Sequence, residues 1–402
     1  MQNTSPRYKW VILTIGSLFH FSFTAAWIFV PLIEALEGGG TGFAEDLGLD
    51  TFQVSLIYAA PLLAFVIFTF FGGMITDVLG LRKSSILSGV FITGFGILRG
   101  FSTNFHFLLI TSFLFGIGGG LLYPNLSKMV ASWFEDQKKG TASGIYLMAG
   151  GMGQVFSLSI TTAFILPLFQ FNWRFCFIFY GGFSLIIVIL WIFLAKEKET
   201  SKNASNELVS FHSLKQLFVN KAVLRLCLII FFGFSVLMGL TNYMADLLDA
   251  KGLVDPIYVY LASILSLGIA LGNVSLPSVS DLLKKRKLFL VLCSIIATIL
   301  LLLLQFVNIG ELLWPLIFCL GLMIGSIIPL CLTISIELKD FSKDLAGTIS
   351  GLVLTFGFLG SFTVNLTFGL ILTGGADFLF CLIYLMAFGT LAIGLSVLQK
   401  TK

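Results

Sequence analysis

The side chains able to do chemistry in this 402-residue chain are few, and most are charged groups at the edges of apolar runs. Asp77 precedes Arg82 and Lys83 across a turn at Gly80, and Asp281 precedes Lys284, Lys285, Arg286 and Lys287. An acid in such a place can hold a helix N-terminus, where unpaired N–H groups and the macrodipole concentrate positive charge. His20 is a different case. About ten residues, or ~15 Å, into the first apolar run, it is the titratable group nearest the middle of any run, and imidazole changes charge within the physiological range. All 20 acids fall in loops or at run ends, with Glu34, Glu37, Asp246, Asp249 and Glu337 closing apolar runs. Catalytic patterns are missing: the sequence has no H-E-x-x-H, G-x-S-x-G, paired intramembrane aspartates or phosphate-cradling loop. Cys176, Cys227, Cys293, Cys319, Cys331 and Cys381 stand singly in apolar segments and read as small buried hydrophobes. Neither an enzyme, a cofactor nor a metal is expected.

The elements that position these groups are membrane spans. A hydrophobic content of 57%, a charged content of 11% and a mean hydropathy of +1.01 lie far from soluble chains, in which about a quarter of residues are charged. Runs long enough to cross ~30 Å of hydrocarbon fall at 10–35, 52–76, 84–102, 106–131, 140–168, 173–195, 222–248, 257–280, 287–307, 312–337, 345–372 and 378–398. The fold class is therefore all-α and integral to the membrane. With both termini cytoplasmic, Arg99, Arg174 and Lys251 are the only outer cations among the 24 Lys and Arg, a bias that the positive-inside rule explains. Arg82, Lys83 and the Lys284 to Lys287 run then read as topology anchors. Arg99 and Lys128 lie near span ends, where a long side chain can snorkel to water; the alternative is that they attract an anionic solute. Cysteines placed near Gly80 and Lys284 should accordingly label from the cytoplasm alone, and those near Gly40 and Gly375 from outside alone; reversed or mixed labelling would refute this topology.

The chain is also a repeat. Asp77 recurs 204 residues on as Asp281, Pro124 recurs 205 on as Pro329, and Gly140-Thr141-Ala142-Ser143-Gly144 recurs 207 on as Gly347-Thr348-Ile349-Ser350-Gly351. The division is 1–195, a linker at 196–221, and 222–402. Within the linker Leu208, Phe211, Leu214, Leu217 and Phe218 have helical spacing, which predicts a short amphipathic helix on the inner membrane face.

The segment from Gly73 through Asp77 and Gly80 to Arg82 and Lys83 resembles the signature loop between helices 2 and 3 of the major facilitator superfamily, with Val78 and Leu81 where that loop has cations. Trp133-Phe134 through Gly144 resembles its loop between helices 4 and 5. The resemblance implies twelve transmembrane helices in two pseudo-symmetric six-helix bundles, a mid-membrane substrate site and alternating access. It implies that Gly73, Asp77, Gly80, Arg82, Lys83 and Asp281 form the conformational switch, with Asp77 set against the segment near Gly347. It also implies which helices line the cavity. Polar and aromatic residues inside spans are costly in lipid and tend to face an interior, so His20, Trp27, Tyr123, Asn125, Tyr146, Gln154, Asn242, Tyr243 and Asn273 are the substrate-binding candidates. For each, a helix-to-helix hydrogen bond or an interfacial aromatic is the competing reading.

The expected function is secondary-active or facilitative transport of a small organic solute, organic anion and organic cation both remaining open. A transporter-like receptor or scaffold is the alternative. The expected partners are a small-molecule substrate and the lipid bilayer, without nucleic acid, for a monomer in the plasma membrane.

Overall fold

The computed structural model describes residues 7–30, 42–196, 211–244, 251, 260–307, 310–338, 340–341, 343–373 and 378–399. The acids Glu34, Glu37, Asp246 and Asp249, the positions Gly40 and Gly375, and most of the polar half of the linker lie outside them. The long helices are α1 (Tyr8–Ile28), α2 (Thr51–Leu79), α3 (Leu81–Arg99), α4 (Phe105–Trp133), α5 (Lys139–Ile160), α6 (Trp173–Leu194), α7 (Lys221–Asn242), α8 (Tyr260–Leu283), α9 (Arg286–Phe306), α10 (Gly310–Ile336), α11 (Ala346–Thr373) and α12 (Phe378–Leu398). Among the described residues, eleven are long and apolar enough to cross a membrane. The other is α5, whose glycines, serines and threonines lower its hydropathy; it runs on through a π-turn at Thr161–Ile165 to Leu168.

These helices are apolar on the outside as well as within. Val90, Ile110, Ile186, Phe193 and Phe306 are all exposed, the inverse of a water-soluble surface, and the chain is a multi-pass integral membrane protein. Prolines inside helices fit that solvent: Pro61, Pro124, Pro277, Pro315 and Pro329 all sit within long helices, where neighbouring helices can re-satisfy the freed carbonyls. Five of the cysteines are buried, but Cys319 is exposed. It lies off the buried stripe of Leu313, Ile317, Leu320 and Ile324 on α10, so helical phase places it on the outward face, contrary to the sequence expectation.

The chain forms two compact units. The first contains residues 1–133, 149–209 and 343–351, and the second 134–148, 210–342 and 352–402. The first follows the N-terminal half and the second the C-terminal half, except for the exchanged segments 134–148 and 343–351. In the first unit the glycines of α4 make the packing. A side chain at Gly116 would strike the Pro61 backbone of α2, and one at Gly118 would strike Ile92 of α3, so these helices approach closely, as small residues permit. Ser88 Oγ completes the α3–α4 contact by donating to the Gly118 carbonyl at 2.7 Å. Phe19, Phe23, Phe65, Phe115 and Phe177 are buried in this unit, and the Phe23 ring packs against those of Phe65 and Phe115. In the second unit the core is mainly aliphatic, with Leu226, Ile230, Leu330, Val353 and Leu385 buried. The linker contributes a helix at Phe211–Val219, whose Leu217 is buried while Phe218 is exposed.

The turns after α2 and α8 repeat each other. Gly80 has φ +81°, and Lys284, 204 residues on, has φ +55°. Glycine adopts that left-handed conformation freely and lysine does not, so the second turn carries a strain that the first avoids.

Candidate functional site

Asp77 closes α2 and is buried. Its carboxylate accepts from the backbone N–H of Gly347 at 3.0 Å, from that of Thr348 at 2.6 Å, and from the Thr348 hydroxyl at 2.6 Å. These are the unpaired donors at the start of α11, the end at which a helix attracts negative charge. The approach requires glycine: a Cβ on Gly347 would lie 2.7 Å from Asp77 Oδ1. Gly73, one turn before Asp77, has no side chain because the Gly347 carbonyl occupies that space, and Gly351 packs on the Thr69 carbonyl.

The second unit repeats the device with the register preserved. Asp281 accepts from the N–H of Gly140 at 3.1 Å, from that of Thr141 at 2.6 Å and from the Thr141 hydroxyl at 2.8 Å, at the start of α5. Gly140 packs on Asp281 and the Pro277 carbonyl, and Gly144 on the Asn273 carbonyl. Residues 69, 73 and 77 thus correspond to 273, 277 and 281, and residues 140, 141 and 144 to 347, 348 and 351. Asn273, a sequence candidate for substrate binding, is one of the backbone positions of this contact.

The cations that balance the two acids differ. Lys128 Nζ lies 2.7 Å from Asp77 Oδ1, with the Thr76 and Asp344 carbonyls at 3.4 and 3.2 Å. At Asp281 the cation is Arg286, which also makes a bidentate pair with Glu337 at 2.7 and 2.8 Å and donates to the Asp136 carbonyl. The expectation that Lys128 snorkels is therefore corrected: it is buried, because its hydrogen-bonded counter-ion lies inside. Arg286 is likewise a partner of two acids rather than only a topology anchor. Arg82 and Lys83 are exposed, Arg82 donating to the Ile192 carbonyl at 2.9 Å.

Arg99 is buried too, and does not snorkel. It donates to the Ala26 carbonyl at 2.8 Å, in the last turn of α1, and its guanidinium lies 3.9 Å from the Phe115 ring centre and 4.5 Å from that of Phe177. A helix C-terminus and two ring faces are suitable surroundings for a cation.

The other sequence candidates separate into groups. His20, Trp27 and Tyr123 come together in the first unit. His20 is buried edge-on to Tyr123, with ring centres 5.0 Å apart, and Tyr123 meets Phe23 and Phe65. Trp27 lies edge-on to Phe65 at 4.9 Å. On its other side the His20 ring lies against Gly150 of α5, whose carbonyl accepts from Thr24 Oγ1 at 2.8 Å. Gln154 is half-buried one turn further along α5. Asn125 is apart from this group, accepting from Thr76 Oγ1 beside Asp77. Asn242 and Tyr243 end α7 in the second unit, where both bond to Asn365, at 2.9 and 3.1 Å. Tyr146 is buried and belongs to the second unit.

Thr141, Thr348 and Glu337 also belong to these contacts and were not among the sequence candidates. The repeated Gly-Thr-x-Ser-Gly was the available signal, since each threonine supplies two of the three donors to an aspartate from the opposite half of the sequence. Glu337 carried no comparable signal, because its partner was one cation in a run of four.

Residues 12–364 match the family described as Major Facilitator Superfamily. The chain is similar to the hexuronate transporter of Bacillus subtilis, 29% identical over 42% of this chain and 40% of that one. It is similar also to the probable galactarate/D-glucarate transporter GudP of Escherichia coli K12, 26% identical over 48% of this chain and 41% of that one. The chain spans less than two thirds of the length of the curated relatives it matches. Among solved structures, the transporter FucP in its outward conformation aligns with a TM-score of 0.81 at 12% identity, over 98% of this chain and 100% of that one, which is a likeness of fold.

Proposed function

The chain belongs to the major facilitator superfamily, and from that membership we propose that it is a secondary transporter of a small organic anion, working by alternating access. The twinned aspartate contacts carry the mechanism. Each joins a helix end to the first turn of a helix from the opposite half of the sequence through bonds that form or break as a set, as a two-state element needs. When the bonds to Thr348 and Gly347 open, Lys128 stays with Asp77, so the carboxylate keeps a counter-charge in both states. Asp281 keeps Arg286 in the same way.

The hexuronate and galactarate/D-glucarate transporters among the relatives favour an anion over a cation. So does the distribution of charge here: among the described residues, no carboxylate lies in the middle of a span to repel one. His20, Trp27, Tyr123 and Gln154 are the proposed contacts, through hydrogen bonds and ring faces. The protein acts as a monomer in the plasma membrane with both termini cytoplasmic, without nucleic acid and without catalysis.

Proteoliposomes test this with labelled D-glucuronate and D-glucarate beside glucose and choline. The expected result is saturable uptake of an acid and none of choline. Uptake of choline or glucose alone would overturn the anion reading. Binding without flux of any of them would favour the receptor reading.

A further inference from the structure

We propose that the turn between α8 and α9 is a binding site for an anionic phospholipid, its phosphate held by Lys284, Lys285 and Lys287 and its acyl chains laid along Leu282, Leu283 and Leu288. The inference does not depend on what the protein transports.

The backbone gives the first observation. α8 ends with Lys284 at φ +55°, and the N–H of Lys285 bonds back to the Ser280 carbonyl at 3.3 Å. That closing position is ordinarily held by glycine, because a side chain there crowds the following carbonyl. The equivalent residue after α2 is Gly80. A lysine at 284 therefore costs stability that glycine would spare, and strain kept in one copy of a repeat points to a function for the side chain that causes it. Orientation in the membrane is not that function. Only Arg99, Arg174 and Lys251 of the 24 Lys and Arg stand against the expected topology, so one cation fewer leaves the bias intact.

The charges give the second observation. Arg286 turns inward to Asp281, Glu337 and the Asp136 carbonyl. Lys284 and Lys285 are exposed and Lys287 is half-buried, and among the described residues no ion pair reaches any of the three. Three ammonium groups within four residues repel one another unless an anion lies between them. The first turn has no such surplus, since Arg82 donates to the Ile192 carbonyl and Lys83 is its remaining cation.

The apolar side chains give the third. Leu282 is 81% exposed, and Leu283 and Leu288 are exposed as well. They flank the lysines on a turn that joins two helices able to cross a membrane, so ammonium groups and alkyl surface meet at the level where phosphate joins acyl chain. Inorganic phosphate or an acidic peptide would satisfy the lysines and leave the leucines in water; a phospholipid satisfies both. Because Lys285 and Lys287 flank Arg286, a lipid bound there also steadies the residue that holds Asp281 and Glu337.

The full-length protein in dodecyl maltoside tests this, with dioleoyl phosphatidylglycerol, dioleoyl phosphatidylcholine and inorganic phosphate as probes. Phosphatidylglycerol should raise the unfolding temperature saturably, and the other two should not. Lys285→Gln/Lys287→Gln should weaken the apparent affinity for phosphatidylglycerol by roughly thirtyfold, about fivefold for each lysine at a membrane surface, and Lys285→Arg/Lys287→Arg should keep it. Lys284→Gly distinguishes a ligand site from packing, because its two effects have opposite signs. Without lipid it should unfold at a higher temperature than the parent, the strain being relieved, and with phosphatidylglycerol it should gain less. Equal stabilisation by phosphatidylcholine or by inorganic phosphate overturns the proposal, as does an equal gain from phosphatidylglycerol in the parent and in Lys285→Gln/Lys287→Gln. Should the double glutamine protein fail to fold, Lys284→Gly decides: a gain from phosphatidylglycerol as large as the parent's overturns the site.

Discussion

Asp77→Asn should destabilise the protein by about 3–5 kcal/mol, because it leaves a buried lysine without its charge partner, and it should abolish uptake. The amide that replaces the carboxylate also turns one donor group toward Gly347 and Thr348, whose own N–H groups then face it. Lys128→Met should cost less, since Asp77 keeps its three hydrogen bonds at the start of α11. The double variant Asp77→Asn/Lys128→Met should be more stable than Asp77→Asn alone, the stranded cation having been removed, yet remain inactive. Thermal unfolding in detergent and vesicle uptake read the two effects separately. An Asp77→Asn protein with unchanged unfolding temperature and uptake would remove Asp77 from the mechanism.

Gly351→Ala and Gly144→Ala should each impair transport strongly. A Cβ on Gly351 would lie 2.7 Å from the Thr69 carbonyl, and one on Gly144 would meet the Asn273 carbonyl and come within 2.9 Å of Val274 Cα. Backbone atoms cannot escape by changing rotamer, so the helices must separate, at an overpacking cost of roughly 1–3 kcal/mol. By population arithmetic that moves a two-state equilibrium between about fivefold and more than a hundredfold. Gly94→Ala and Gly182→Ala are the controls, because nothing lies within 4 Å of a side chain there; they should be neutral or slightly stabilising. Equal uptake by Gly351→Ala and Gly94→Ala would show that the close approach has no functional weight.

The spans and the repeat were legible because a charge inside an apolar run is a strong signal in one dimension. Asp77 and Asp281 are the clearest instances, being acids that end long hydrophobic stretches at a fixed offset. The surroundings of Lys128 and Arg99 were not legible. A cation near a span end is solvated by headgroups if nothing else claims it, and whether a carboxylate or a pair of rings claims it depends on a neighbouring helix. Asn125 shows the same limit from the other side. Its type and depth suited a substrate contact as well as a bond to Thr76, and only packing separates the two. Tyr123, two residues earlier, meets His20 instead, because two residues of an α-helix turn about 200° around the axis and so point to nearly opposite sides.

The asymmetry between the two acid contacts has a consequence for biosynthesis. Asp77 is translated 270 residues before the Gly347 amide that it will hold, so it enters the membrane long before α11 exists. Lys128, only 51 residues later, arrives with the fourth helix and can neutralise the acid during that interval. Asp281 emerges with the opposite history: Gly140 was made 141 residues earlier, and Arg286 follows 5 residues behind. At the position equivalent to Lys128, four residues after Pro329, the chain has Thr333. The buried lysine belongs to the copy whose aspartate must wait for its helix partner.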